Sequence, residues 1–124
     1  MKLADLVEAL GLEVRSAPGG LSNEVTGGYA SDLLSDVMGN SREGNLWITL
    51  QIHLNVVAVA SMKDLAGVVL VNGREPEEET VRKADAEGIT IMVSKLPTFE
   101  LVGRLYDLGV RGVGVEEATE PGES

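Results

Sequence analysis

Leu46-Trp47-Ile48-Thr49-Leu50 is the stretch from which the rest of the chain can be ordered. It is short, β-branched and aromatic, and apolar at every position but one, which is how a strand buried on both faces reads. Two runs of the same kind follow, Gly67-Val68-Val69-Leu70-Val71 and Ile89-Thr90-Ile91-Met92-Val93. The segments between them are long enough for the crossover helix that a parallel connection needs. The expected fold class is therefore α/β, a layered α/β/α arrangement around a mainly parallel central sheet.

The helices are read outward from these strands. Leu54 to Leu65 forms the first crossover, apolar nearly all round and so buried on more than one side. In the second, Pro76 takes the first helical position, where its missing N–H costs nothing. Glu77, Glu78 and Glu79 sit at the positive end of the helix dipole. Glu78 with Arg82 and Glu79 with Lys83 are i, i+4 pairs, and Gly88 stops the helix. Thr98 caps a further helix to Leu108, with Leu101, Val102, Leu105 and Leu108 inward. Val110 to Val115 is expected as a final edge strand.

Before residue 46 the signal is weaker. Leu3, Leu6, Val7 and Leu10 mark one buried helical face, ended by Gly11. Leu12 to Arg15 reads as a strand, Pro18-Gly19-Gly20 as a turn, and Glu24 to Thr26 as the returning partner strand. Ser31 is expected to cap a helix over residues 31–38, with Leu33, Leu34, Val37 and Met38 on its buried side and Gly39-Asn40-Ser41 at its end.

The 124 residues suffice for one domain with an ordinary core, placed at residues 1–115. The net charge is −10, from 20 acids and 10 bases. Glu116, Glu117, Glu120 and Glu123 crowd the last nine residues, so 116–124 is expected to be a disordered acidic tail. No basic run is present, and such a surface repels nucleic acid and anionic membranes. With no cysteine and a single histidine, disulfides, thiolate zinc sites and multi-histidine metal sites are excluded. No export signal or bilayer-length apolar stretch is visible, which gives a cytoplasmic expectation. No cofactor is expected.

In open α/β sheets, ligands favour the crevice beyond the carboxyl ends of the strands. That rule selects Thr49, Gln51, His53 and Asn55 after the first central strand, Asn72, Gly73 and Arg74 after the second, and Ser94, Lys95 and Thr98 after the third. The ligand-binding set drawn from these is Thr49, Gln51, His53, Asn72, Gly73, Arg74 and Ser94. They combine donors, acceptors and positive charge beside helix amino termini, a setting that suits a small anion. Blander roles stand beside this one. His53 satisfies a carbonyl, Asn72-Gly73 makes a turn, and Arg74 is a solvated charge. Asp32 and Asp36, four apart on a helix, form a weak metal pair. There is no GxxxxGK[ST] loop, no GxGxxG with an acidic ribose ligand and no GxSxG elbow, so no catalytic residue is assigned.

The stretch Val25 to Met38, then Trp47 to Ala60, Gly67 to Pro76 and Glu87 to Ile91, resembles a DRTGG domain over roughly residues 2–113. Where many members have Gly-Asp-Arg, this chain has Leu50-Gln51-Ile52. Where they have Thr-Gly-Gly it has Val71-Asn72-Gly73, so only Gly73 carries over. It looks like a short, stand-alone subgroup. The resemblance implies an α/β domain similar to the amino-terminal domain of HPr kinase/phosphorylase. It further implies a regulatory, dimer-forming role with adenine nucleotides as ligands. The catalytic phosphate loop of that kinase belongs to another domain.

Together these readings predict a non-catalytic, homodimeric, ligand-sensing domain that binds an adenine nucleotide or other small anion. The alternatives are an adaptor that docks on a larger protein without a small ligand, and a small hydrolase or phosphotransferase.

Overall fold

A computed structural model of the chain describes residues 1–114. In chain order they form α1 (Leu3–Leu10), β1 (Glu13–Val14), a 3-10 turn (Pro18–Ser22), β2 (Gly27–Ala30), α2 (Leu34–Asn40), β3 (Asn45–Thr49), α3 (Asn55–Met62), β4 (Gly67–Leu70), α4 (Glu78–Glu87), β5 (Ile91–Val93) and α5 (Thr98–Asp107). The five strands make one sheet in the order β1-β5-β4-β3-β2. β2 to β5 are parallel, and β1 runs antiparallel at the edge beside β5. The expected α/β class with a mainly parallel sheet is what the chain adopts.

Every residue of β3, β4 and β5 is buried, because helices cover both faces of the sheet. On one face Val37 of α2, Val56 and Ala60 of α3 and Ala84 of α4 pack against Trp47, Val68, Leu70 and Ile91. On the other, Leu3 and Leu6 of α1 and Leu101 and Leu105 of α5 pack against Leu46, Ile48, Val69 and Met92. Trp47 has no exposed surface, and its indole Nε1 donates to the Ser31 carbonyl at 2.8 Å. That bond satisfies the one polar atom of the ring, so its full apolar area can enter the core.

The three crossover helices α2, α3 and α4 all lie on one face, and strands β2 to β5 are adjacent in sequence order. The parallel strands therefore contain no reversal of order. In a doubly wound sheet such a reversal splays neighbouring loops apart and opens the crevice on which the strand-end rule rests. Here the loops after β2, β3 and β4 turn to that face, whereas the loop after β5 leads to α5 on the other.

Several local expectations are corrected. Glu24–Thr26 does not return along residues 12–15. β1 pairs with β5 instead, and Glu24 only bridges Lys2. The strand in that region is Gly27–Ala30, whose two glycines hide its periodicity. α2 starts three residues after Ser31, with Leu33 at its N-cap, and it runs through Asn40. Ser31 instead accepts the Leu33 N–H at 3.2 Å, and Leu33 is largely exposed. Pro76 precedes the N-cap Glu77, and Pro97 rather than Thr98 caps α5. Lys83 pairs with Glu87 at 2.9 Å instead of with Glu79. Val102 lies on the exposed side of α5. Among the described residues the predicted last strand is reduced to one parallel bridge, Gly28 to Gly112. The expected acidic tail lies outside the described residues.

Candidate functional site

The carboxyl ends of β2 to β5 share one edge, and the loops beyond them are laced together by hydrogen bonds. The Val71 N–H donates to the Thr49 carbonyl at 3.2 Å. One loop along, the Asn72 N–H donates to the Leu96 carbonyl at 2.9 Å and the Gly73 N–H to the Ser94 carbonyl at 2.8 Å. Asn72 and Gly73 both adopt left-handed angles, with φ of 59° and 67°. This pair of residue types tolerates that conformation best, and it aims both amides at the neighbouring loop. Asn72, Gly73 and Ser94 are thereby brought together, with Arg74 and Lys95 exposed beside them. Neither cation forms an ion pair among the described residues.

Thr49 has a different environment. It is only 1% exposed, and its hydroxyl donates to the Asp32 carboxylate at 2.8 Å. The Leu50 N–H reaches the same oxygen at 2.7 Å, and the Gln51 amide donates to the Asp32 carbonyl at 2.8 Å. Gln51 N–H in turn donates to the Thr49 hydroxyl at 3.2 Å. Thr49 and Gln51 thus fasten the β3 end to the β2–α2 loop. Asp32 is the centre of that fastening, a role that its spacing from Asp36 did not signal.

His53 stands at the α3–α4 side of the same edge. Its Nδ1 lies 3.0 Å from Glu77 Oε2, and both side chains are about half exposed. Glu77 N–H and the Thr80 hydroxyl both donate to the Ile52 carbonyl, which ties the β3–α3 loop to the start of α4. From this point an open groove of about 790 Å³ runs between α3 and α4. Leu54, Ala58 and Met62 give it an apolar floor, and Glu77, Glu79, Lys83 and Glu87 line its rim. Three carboxylates against one lysine and one histidine make this rim unfavourable for a phosphate. Ser94 and Lys95 line a separate cavity of about 240 Å³ beside Glu13, Leu10 and Arg104. Of the seven predicted residues, then, His53 faces one cavity and Ser94 another, while Thr49 is consumed by structure. Thr49 and Arg74 line neither of these two cavities.

Electrostatics at the edge are dominated by Arg15. Its Nε and Nη2 grip Glu75 at 2.7 and 2.9 Å, and Nη2 also meets Glu13 at 2.6 Å. The hydrogen bond from Arg15 holds the Glu75 carboxyl below the usual range, and Glu75 in turn raises the pKa of Arg15. The Asp36 carboxyl is lowered by hydrogen bonds from Ser31, then Tyr29 and Asn40. Tyr29 donates to Asp36 at 2.8 Å, which raises its own pKa. Asp32 and Asp36 are both spent on such bonds and are not arranged as a metal pair. No cluster of three or more metal-ligating side chains occurs among the described residues.

No protein-family model matches the chain, and no curated protein matches it. A solved structure does. The fold is similar to the CBS and DRTGG domains of the regulatory region of Clostridium perfringens pyrophosphatase, a structure in complex with its activator, diadenosine tetraphosphate. The TM-score is 0.61 at 12% sequence identity, over 82% of this chain and 44% of that one. In fold, the chain is DRTGG-like. At this identity the likeness is one of architecture, and the DRTGG-like chain spans less than half the length of the regulatory region it matches. No helix among the described residues is long and apolar enough to cross a membrane.

Proposed function

We propose that this chain is a non-catalytic regulatory domain of the DRTGG type that senses an adenine nucleotide or a related small anion. The observation that carries the reading is the likeness of its fold to a regulatory region solved with a dinucleotide activator. The local chemistry supports a position for the anionic group. Arg74 and Lys95 project from two loops stitched to each other through Asn72, Gly73, Ser94 and Leu96. Because those loops are braced, the backbone that carries the two cations needs little further ordering on binding. Thr49, Gln51 and Asp32 brace the next loop, and His53 marks the start of the α3–α4 groove, whose apolar floor suits a base better than a phosphate. The chain acts through binding, as a cytoplasmic module, and transfers no group.

Calorimetric titration with diadenosine tetraphosphate, ATP and inorganic phosphate tests this. Saturable binding of a nucleotide is expected, weakened roughly tenfold by Arg74→Ala and again by Lys95→Ala. Phosphate alone binding as well as the nucleotides would restrict the site to a simple anion. No heat from any of the three at millimolar concentration would refute the reading, and a stable complex with a larger protein would then favour an adaptor.

A further inference from the structure

The chain carries twice as many acids as bases, and its larger hollows share that sign. Glu77, Glu79 and Glu87 line the α3–α4 groove, and Glu24, Glu43, Asp64 and Glu87 line a polar hollow of about 480 Å³. The cavity of about 240 Å³ between the end of α1, the end of β5 and α5 departs from this rule. Lys95 and Arg104 stand on its wall against one acid, Glu13, whose Oε1 already takes Arg15 Nη2 at 2.6 Å. Arg104 reaches the cavity because it follows the buried Leu101 by three residues and so flanks the inward side of α5. Both cations are unspent. Lys95 forms no ion pair among the described residues, and Arg104 Nε lies 4.0 Å from Glu100 Oε2, beyond hydrogen-bond reach. Leu10 and Gly11 bring the carbonyl end of α1 to the same cavity, where a cation can serve the helix dipole. Yet neither Lys95 nor Arg104 hydrogen-bonds a carbonyl among the described residues. Ser94 completes the polar wall and is only 4% exposed. Its Oγ accepts the Leu96 N–H at 3.1 Å, and its own proton has no acceptor among the described residues.

We propose that this cavity is a second ligand site, which binds a phosphate group through Lys95, Arg104 and the Ser94 hydroxyl. The guanidinium fork of Arg104 matches two phosphate oxygens, and the Lys95 ammonium adds a point charge. Two cations and a spare hydroxyl donor suit a dianion. The cavity is smaller than the roughly 300–1,000 Å³ of pockets that enclose a whole drug-sized molecule. It therefore admits inorganic phosphate or a short organic phosphate, whose carbon chain would lie on Leu10, Val93 and Leu96, and it excludes a nucleotide. Arg74 takes no part in its wall, so the inference goes beyond the nucleotide reading and shares only the loop of Ser94 and Lys95 with it.

Titration of the full chain with inorganic phosphate at constant ionic strength, followed by amide shifts, provides the test. Saturable shifts are expected at Gly11, Ser94 and Leu96. Arg104→Ala should weaken binding roughly tenfold or more. Its thermal melt in phosphate-free buffer should not change, since the side chain is more than half exposed. Arg104→Lys, which keeps the charge without the fork, should fall between the two. Arg82→Ala, at an exposed arginine of α4, should leave phosphate binding as it was. Ethyl phosphate separates the two sources: tighter binding than phosphate assigns an organic phosphate, and equal binding assigns the free ion. Shifts that do not saturate overturn the proposal, as does an affinity indifferent to Arg104→Ala or lowered as much by Arg82→Ala. The nucleotide reading stands or falls separately, on the calorimetric effect of Arg74→Ala.

Discussion

The buried hydroxyl of Thr49 donates to the Asp32 carboxylate at 2.8 Å, and this contact joins the ends of β2 and β3. The same carboxylate oxygen takes the Leu50 N–H at 2.7 Å. Asp32→Ala therefore strands a buried hydroxyl and a loop amide together, at a cost of about 2 kcal/mol. The Asp32→Ala, Thr49→Val double variant should cost less than the two single changes summed, because the second change removes a group already left unpaired. Urea unfolding of the four proteins reads both effects, and strict additivity would show that the pair is not coupled.

Acid should act through Glu75. Its carboxyl titrates below the ordinary range because Arg15 hydrogen-bonds it, while Arg15 stays protonated throughout. The stabilisation is fully present above the unfolded Glu value near 4.3 and is lost as pH falls through the lower folded value. Asp36, lowered first by Ser31, follows the same sign. Glu75→Gln should flatten the acid side of the stability profile between about pH 5 and pH 2. The Glu75 effect is a few tenths of a kcal/mol at neutral pH, since the pair is largely exposed and screened. Thermal melts across that range check it. A variant with an unchanged acid slope would dismiss the Arg15–Glu75 contact as a stabilising one.

A side chain at Gly27 would place its Cβ 2.8 Å from the Arg111 carbonyl oxygen, a backbone atom with little freedom to retreat. The same carbonyl accepts the Gly28 N–H at 2.9 Å. Gly27→Ala should push the segment at 110–112 off the β2 edge and destabilise the fold by about 1–3 kcal/mol. Hydrogen exchange at Gly28 should speed up in the variant more than exchange in β4. Equal protection in both proteins would contradict the close approach.

How much of this could be read in advance follows from the residues themselves. β3, β4 and β5 and the helices between them were legible because continuous apolar runs alternate with capped, charged segments such as Glu77 to Gly88. β2 was not, since Gly27-Gly28-Tyr29-Ala30 carries little strand propensity and is held by its neighbours β3 and Gly112. The pairing of β1 with β5 was equally hidden, because a two-residue strand contains no register information. For the site, the strand-end rule picked out loops that the fold packs against each other, those that carry Asn72, Gly73 and Ser94. It did not show that Thr49 would be spent on Asp32 or that His53 would turn to Glu77. Those outcomes depend on which loops pack together, and strand order decides that.

The claim on which the account rests is that the β4–α4 and β5–α5 loops hold a nucleotide's anionic group. Titration of the isotope-labelled chain with diadenosine tetraphosphate, followed by amide shifts in ¹H–¹⁵N spectra, tests it most directly. The account predicts saturable shifts concentrated at Asn72, Gly73, Arg74, Ser94 and Lys95, abolished in the Arg74→Ala, Lys95→Ala double variant. Spectra that do not change on adding nucleotide, or shifts confined to residues away from these two loops, would contradict it.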